Sequence, residues 1–137
     1  MNQKSLLLSI KPRFADAIFA GTKRFELRRV RPKVMPGDLV LVYVTVPRAA
    51  IEGAFEVSEM IEESTSKLWE TVKSSAGVTK EEFDNYFEGK SQGYAIGIQK
   101  TWPLAESVSL AHLRKRSIQP PQSYRYLDSK QTAKLLI

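Results

Sequence analysis

The chain has 137 residues, 42% hydrophobic and 26% charged, with a net charge of +6 at pH 7. That length suits one domain with one core and leaves little for a second, and the composition excludes gross disorder. The absence of cysteine excludes disulfides, thiolate zinc sites and cysteine nucleophiles.

In chain order, Leu6-Leu7-Leu8-Ser9-Ile10 is a short apolar run that reads as a buried strand. Pro12 suits a first helical turn, Phe14, Ala17 and Ile18 recur at helical spacing, and Gly21 stands where a left-handed cap would end that helix. Arg24 to Arg29 alternates, Phe25 and Leu27 against Arg24, Glu26 and Arg28, which predicts a half-buried strand. Pro36-Gly37-Asp38 is a tight turn before the β-branched strand Leu39 to Val44, and Ala50 to Ile61 reads as a long strand bent at Gly53. The acidic middle is helical: Ser64 or Thr65 caps one helix that Gly77 ends, and Thr79 with Glu82 makes a capping box for the next, which carries Phe83, Tyr86 and Phe87. Tyr94 to Ile98 alternates as a strand that Pro103 breaks. Leu110 to Arg116 predicts a short helix, Tyr124 and Tyr126 lie in an extended stretch, and a last helix starts near Asp128.

This order predicts an α+β fold: a small mixed, mainly antiparallel β-barrel with an N-terminal helix, a two-helix insertion and a C-terminal appendage. Residues 1–137 are expected to form a single domain, with a core at about 4–104 and the appendage 105–137 packed on it. No apolar run approaches the roughly 18 to 20 residues that cross a bilayer, and the opening apolar stretch is too short for a signal peptide. A cytoplasmic protein with no membrane partner is expected.

Charge is unevenly distributed. Lys11 to Lys33 holds eight basic and two acidic residues, Ile51 to Gly89 three basic and ten acidic, and Lys90 to Ile137 eight basic and two acidic. If the two basic segments fold together they make a positive face that attracts phosphates.

Gly21, Lys23, Glu26 and Arg28 stand as G-x-K-x-x-E-x-R after Ser9-Ile10-Lys11-Pro12. Downstream come Gly37-Asp38, a strand reaching Tyr43, Gly53, Trp69 and Gly93-Tyr94-Ala95-Ile96. In these landmarks the chain resembles an ASCH domain (activating signal cointegrator homology), a branch of the PUA-like superfold, over roughly residues 4 to 104. Pro120-Pro121-Gln122-Ser123-Tyr124 resembles the tail of some members. The resemblance implies a barrel with a cleft beside the first helix, and a ligand that is RNA or a modified nucleoside. One branch hydrolyses N4-acetylcytidine with a lysine, a threonine and a glutamate. Lys23 falls on that lysine, Glu26 stands at the threonine position, and Ser74, Ser75 and Ala76 occupy the region of the glutamate.

The candidate RNA- or nucleotide-binding residues are therefore Ser9, Lys11, Lys23, Arg24, Glu26, Arg28, Arg29, Tyr43, Tyr94 and Tyr124. Arginine's fork of donors suits phosphate, a carboxylate can accept from a base's amino group, and tyrosine rings can stack on bases. Tyr43 and Tyr94 serve equally as core packing, Glu26 and Arg28 equally as a structural pair, and Trp69 and Trp102 read as core. One histidine, His112, and no cysteine leave no catalytic triad, and neither a metal nor another cofactor is expected. The leading reading is a basic cleft that binds RNA or a nucleotide-like small molecule, with a possible regulatory role. The alternative is a metal-independent hydrolase of a nucleoside amide or an RNA phosphodiester, with Lys23 and Glu26 catalytic. A third is a protein partner meeting the acidic helices of residues 64–88. Because Glu26 would stabilise the ammonium form, Lys23 is expected to stay charged and to serve binding.

Overall fold

The structure, a computed structural model, describes residues 5–136. The expected domain limits at 1 and 137, and the core's start at 4, lie outside the described residues. Eleven elements follow in order: β1 (Ser5–Ile10), α1 (Pro12–Ala20), β2 (Phe25–Arg28), β3 (Leu39–Val44), β4 (Ala50–Ser64), α2 (Thr65–Val72), α3 (Lys80–Tyr86), β5 (Gln92–Ser109), α4 (Leu110–Lys115), β6 (Tyr124–Leu127) and α5 (Ser129–Leu136).

The strands form one six-stranded sheet in the order β2-β5-β4-β3-β1-β6. Only β1 and β3 run parallel, in register from Ser5 opposite Leu39 to Ile10 opposite Val44. The other neighbours are antiparallel. The sheet is mixed and mainly antiparallel, as expected, but it is open: β2 and β6 are its two edges and share no ladder, which corrects the expected closed barrel. No backbone ladder joins the two edges; the Arg28 guanidinium reaches across instead, bonding to Ser9 of β1 and to Ser123 just before β6.

β1 is covered on both faces. Leu6, Leu8 and Ile10 join Val40, Val42, Val44, Phe55 and Ile96 in one core, onto which α1 packs Ala15 and Ile18. Leu7 joins Leu41, Tyr43 and Ile51 on the other face, beneath Leu113 of α4 and Leu135 of α5. Fully burying such an aliphatic side chain stabilises the fold by about 1.5–3 kcal/mol. A third core gathers Leu27, Leu68, Val72, Phe83, Phe87 and Ala95, and so fastens the two-helix insertion to β2 and β5.

Local signals mostly act as expected. Gly21 caps α1 at φ 83°, Ser64 caps α2, and Thr79 and Glu82 close a full capping box on α3. Four expectations need correction. Helix α2 ends at Val72, before Gly77, which instead adopts φ 71° in the following turn. Pro103 does not break β5. It pairs with Gly53, where the β4 register shifts, and proline without an N–H is tolerated at such irregularities. β5 therefore runs across residues 104 and 105, so the expected core–appendage boundary falls inside a strand. Trp102 is 45% exposed rather than core, whereas Trp69 packs on Phe83 with ring centroids 5.1 Å apart. The bend at Gly53 has a steric basis: a Cβ there would strike the Phe19 ring and the Trp102 carbonyl.

Candidate functional site

Three charged side chains are buried together: Lys23 is 2% exposed, Glu26 6% and Arg28 8%. Charged groups are almost never buried unless paired, so their arrangement carries information. β2 positions two of them. Glu26 and Arg28 are two residues apart, share a face, and sit opposite Ile96 and Tyr94 of β5. The sequence predicts a half-buried strand with this polar face outward, but the face is buried too, because helix α3 and the segment before β6 cover it.

Lys23 is set by the exit from α1. After the Gly21 cap, its amide donates to the Ala17 carbonyl at 3.1 Å, and the next amide, of Arg24, donates to Ser75 at 2.7 Å. The Lys23 stem then passes Gly77, where an added Cβ would lie 3.2 Å from both its Cβ and its Cγ. Nζ donates to the Ala76 carbonyl at 2.5 Å, stands 3.7 Å from Glu26 Oε1, and lies 4.9 Å from the centre of the Phe14 ring. The other Glu26 oxygen accepts from Arg28 at 2.8 Å. Arg28 further donates to the Ser9 carbonyl at 3.1 Å and to the Ser123 hydroxyl at 3.0 Å, while its buried Nε has no partner among the described residues. Ser9 Oγ donates to Pro121 at 2.6 Å, so the segment before β6 is tied to the end of β1.

Burial pushes the Lys23 ammonium below the ordinary lysine range. Glu26 opposes this and Arg28 reinforces it. Loss of water outweighs the one carboxylate, an oxygen of which is committed to Arg28.

These groups form the floor of a cavity of about 490 Å³. Ser9, Lys11 and Phe14 bound one side, Lys23, Glu26 and Arg28 the floor, and Val78, Phe83 and Tyr86 the wall supplied by the helical insertion. Of the residues singled out from sequence, Ser9, Lys11, Lys23, Glu26 and Arg28 are thus brought together. Arg29 lines an adjoining groove. Arg24 is exposed, with its backbone bonded to Ser75 and Ile98, and lines neither. Tyr43 is buried in the second core, away from the cavity lining, because it falls on the opposite face of β3 from Val42 and Val44. Tyr94 is half-buried beside Arg28 in the ladder, and Tyr124 packs on the first core against Tyr126; neither lines the cavity.

Sequence reasoning missed Phe14, Tyr86, Ser123 and the Ala76 carbonyl as site components. Phe14 and Tyr86 were hidden by their helical spacing, which assigns them to apolar faces. Yet Tyr86 is 38% exposed and donates to the Leu27 carbonyl at 3.2 Å. Its hydroxyl is pushed above its ordinary value by burial, so at neutral pH it is a donor.

A family model described as the ASCH domain matches residues 8–102. A Zymomonas mobilis protein named ASCH domain-containing ribonuclease is 27% identical over 137 residues, covering 98% of this chain and 92% of its own length. The crystal structure of ASCH from Zymomonas mobilis superposes with a TM-score of 0.90 at 27% identity, over 96% of this chain and 92% of that one. A Pseudomonas syringae protein, 17% identical with a TM-score of 0.61 over 96% of this chain and 97% of its own, shares the fold. With the family model spanning more than half of its residues, the chain belongs to the ASCH domain family.

Proposed function

We propose that the cavity binds one unpaired nucleotide of RNA, or a modified nucleoside, and that the protein is a binding module. The observation that carries this reading is the Glu26 carboxylate, held at the cavity floor between Lys23 and Arg28. A fixed carboxylate is the acceptor that an exocyclic amino group, such as that of cytosine, requires. Phe14 and Tyr86 on the wall offer aromatic surface for a base, and Lys11 at the mouth offers a cation for its phosphate. A cavity of about 490 Å³ is within the usual size of ligand sites. The Zymomonas relative's name also associates this fold with RNA.

A second reading, hydrolysis of an RNA phosphodiester or a nucleoside amide through Lys23 and Glu26, is favoured by two observations. Burial lowers the Lys23 pKa, as a lysine base requires, and the relative is named a ribonuclease. The binding reading stands first because Nζ is already engaged by Ala76, Glu26 and the Phe14 ring, contacts that occupy it within the protein rather than free it to take a substrate proton.

The test is a titration of short single-stranded RNA by fluorescence anisotropy, with the same samples resolved on a gel for cleavage. Saturable binding without fragments, with the preferred base weakened in Glu26→Gln, is the expected outcome. Turnover abolished by Lys23→Ala would establish the hydrolase instead.

A further inference from the structure

A groove of about 330 Å³ adjoins the cavity, lined by Arg28, Arg29, Val30, Tyr86, Lys90 and Ser123. Arg28 and Tyr86 belong to both linings. The Tyr86 ring is therefore a partition between two recesses, steadied by its bond to Leu27 and by an edge contact with Phe87 at 4.9 Å.

The groove's chemistry differs from that of the cavity. Its cations are exposed rather than buried: Arg29 after β2 and Lys90 after α3. Neither makes an ion pair among the described residues, whereas the nearby Arg31 approaches Glu62 at 3.8 Å. Two unneutralised cations converging on one recess, from segments far apart in sequence, suit a phosphate. Val30, 62% exposed at the same place, gives an apolar surface where a planar group can lie. Arg28, buried and already bonded to Glu26, Ser9 and Ser123, adds positive charge behind the groove.

Resting on the reading of the cavity as a nucleotide site, we infer that the groove holds the adjoining nucleotide. Its phosphate lies against Arg29 and Lys90, and its base lies over Val30 on the far side of Tyr86. The ligand is then a single-stranded RNA segment of at least two nucleotides, not a free nucleoside. A free nucleoside would leave the groove and its two cations unused.

The experiment compares the four nucleoside monophosphates with a mixed-sequence RNA tetranucleotide by calorimetry at low salt. It uses the wild type, an Arg29→Ala/Lys90→Ala variant and a Val30→Glu variant. All three replaced residues are exposed, and circular dichroism checks that each variant is folded. The tetranucleotide should bind at least about tenfold more tightly than the best mononucleotide. The double variant should erase that advantage and make the salt dependence shallower by about 0.7 for each phosphate it no longer neutralises. Val30→Glu should reproduce the loss of affinity, and mononucleotide binding should stay unchanged in both variants. Equal affinities for mononucleotide and tetranucleotide in the wild type would overturn the groove while leaving the cavity reading intact. So would equal losses for both ligands in the variants. No binding of either ligand would overturn both readings.

Discussion

The Arg28 guanidinium donates to the Ser123 hydroxyl at 3.0 Å, joining residues 95 apart in sequence. Arg28 ends the edge strand β2, and Ser123 immediately precedes the opposite edge β6. One side chain thus bridges the open seam of the sheet, and the cavity and the groove lie on either side of it.

This bridge should be measurable as a coupling. Ser123→Ala removes one charge-assisted hydrogen bond and should cost about 1.5–3 kcal/mol or somewhat less, given that Ser123 is exposed. Arg28→Ala leaves Glu26 buried with only Lys23 at 3.7 Å and should cost about 3–5 kcal/mol. A double-mutant cycle from denaturant midpoints should return a coupling of about 0.5 kcal/mol or more. Strict additivity would mean that the seam is not held by this hydrogen bond.

Lys23 supplies a pH signature. Its pKa is lower when folded than when unfolded, so the unfolded chain binds the extra proton between those two values. Its contribution to stability therefore rises with pH up to the unfolded value near 10.5 and is lost as pH falls toward the folded one. The wild type should gain stability relative to Lys23→Met as pH increases through the alkaline range. A wild type that loses stability relative to Lys23→Met as pH rises would reverse the sign and contradict a desolvated Lys23.

Gly77 should be intolerant for two reasons at once. Its φ of 71° disfavours any side chain, and a Cβ would press on the Lys23 stem at 3.2 Å. Gly77→Ala should destabilise by about 1–2 kcal/mol and weaken nucleotide binding, because Nζ is displaced from Ala76. Gly89→Ala, also at positive φ but with nothing within 4 Å, should cost stability without touching binding. Equal binding losses in both variants would sink the positional argument.

Much of this architecture was legible residue by residue. The Pro12 start and Gly21 stop of α1, the Thr79–Glu82 box and the β3 run are local signals, and local physics decides them. That Glu26 and Arg28 share a face was legible from strand alternation, and that Lys23 joins them in a cleft was implied by the resemblance to the ASCH motif. What escaped was long-range. Nothing near Arg28 indicates that Ser123 meets it, and nothing local says that the helical insertion folds over β2 to bury its polar face. Tyr86 reads as a core residue by period, and only the packed fold leaves it at the boundary of two recesses. Pro103 reads as a strand breaker, because the β4 irregularity that tolerates it lies about fifty residues away.

Lys11 separates attraction from recognition. It lines the cavity mouth, is exposed, and makes no ion pair among the described residues. Lys11→Ala should weaken all RNA sequences alike and make the salt slope shallower by roughly one. Glu26→Gln should instead change which base is preferred, at about 1–3 kcal/mol for the best base. If the two variants gave the same pattern across sequences, the division of roles would be wrong.

In the proposed complex a base enters the cavity between Phe14 and Tyr86, a placement that photo-crosslinking reads out. Single-stranded RNA carrying 5-iodocytidine, which keeps the exocyclic amino group that Glu26 is proposed to accept from, is irradiated with the protein, and the adduct is mapped by mass spectrometry. Crosslinks should fall on the peptides containing Phe14 and Tyr86, and should disappear when unlabelled RNA competes. Crosslinks confined to the exposed basic helix that carries Arg114 and Lys115, with none in the cavity, would contradict the account.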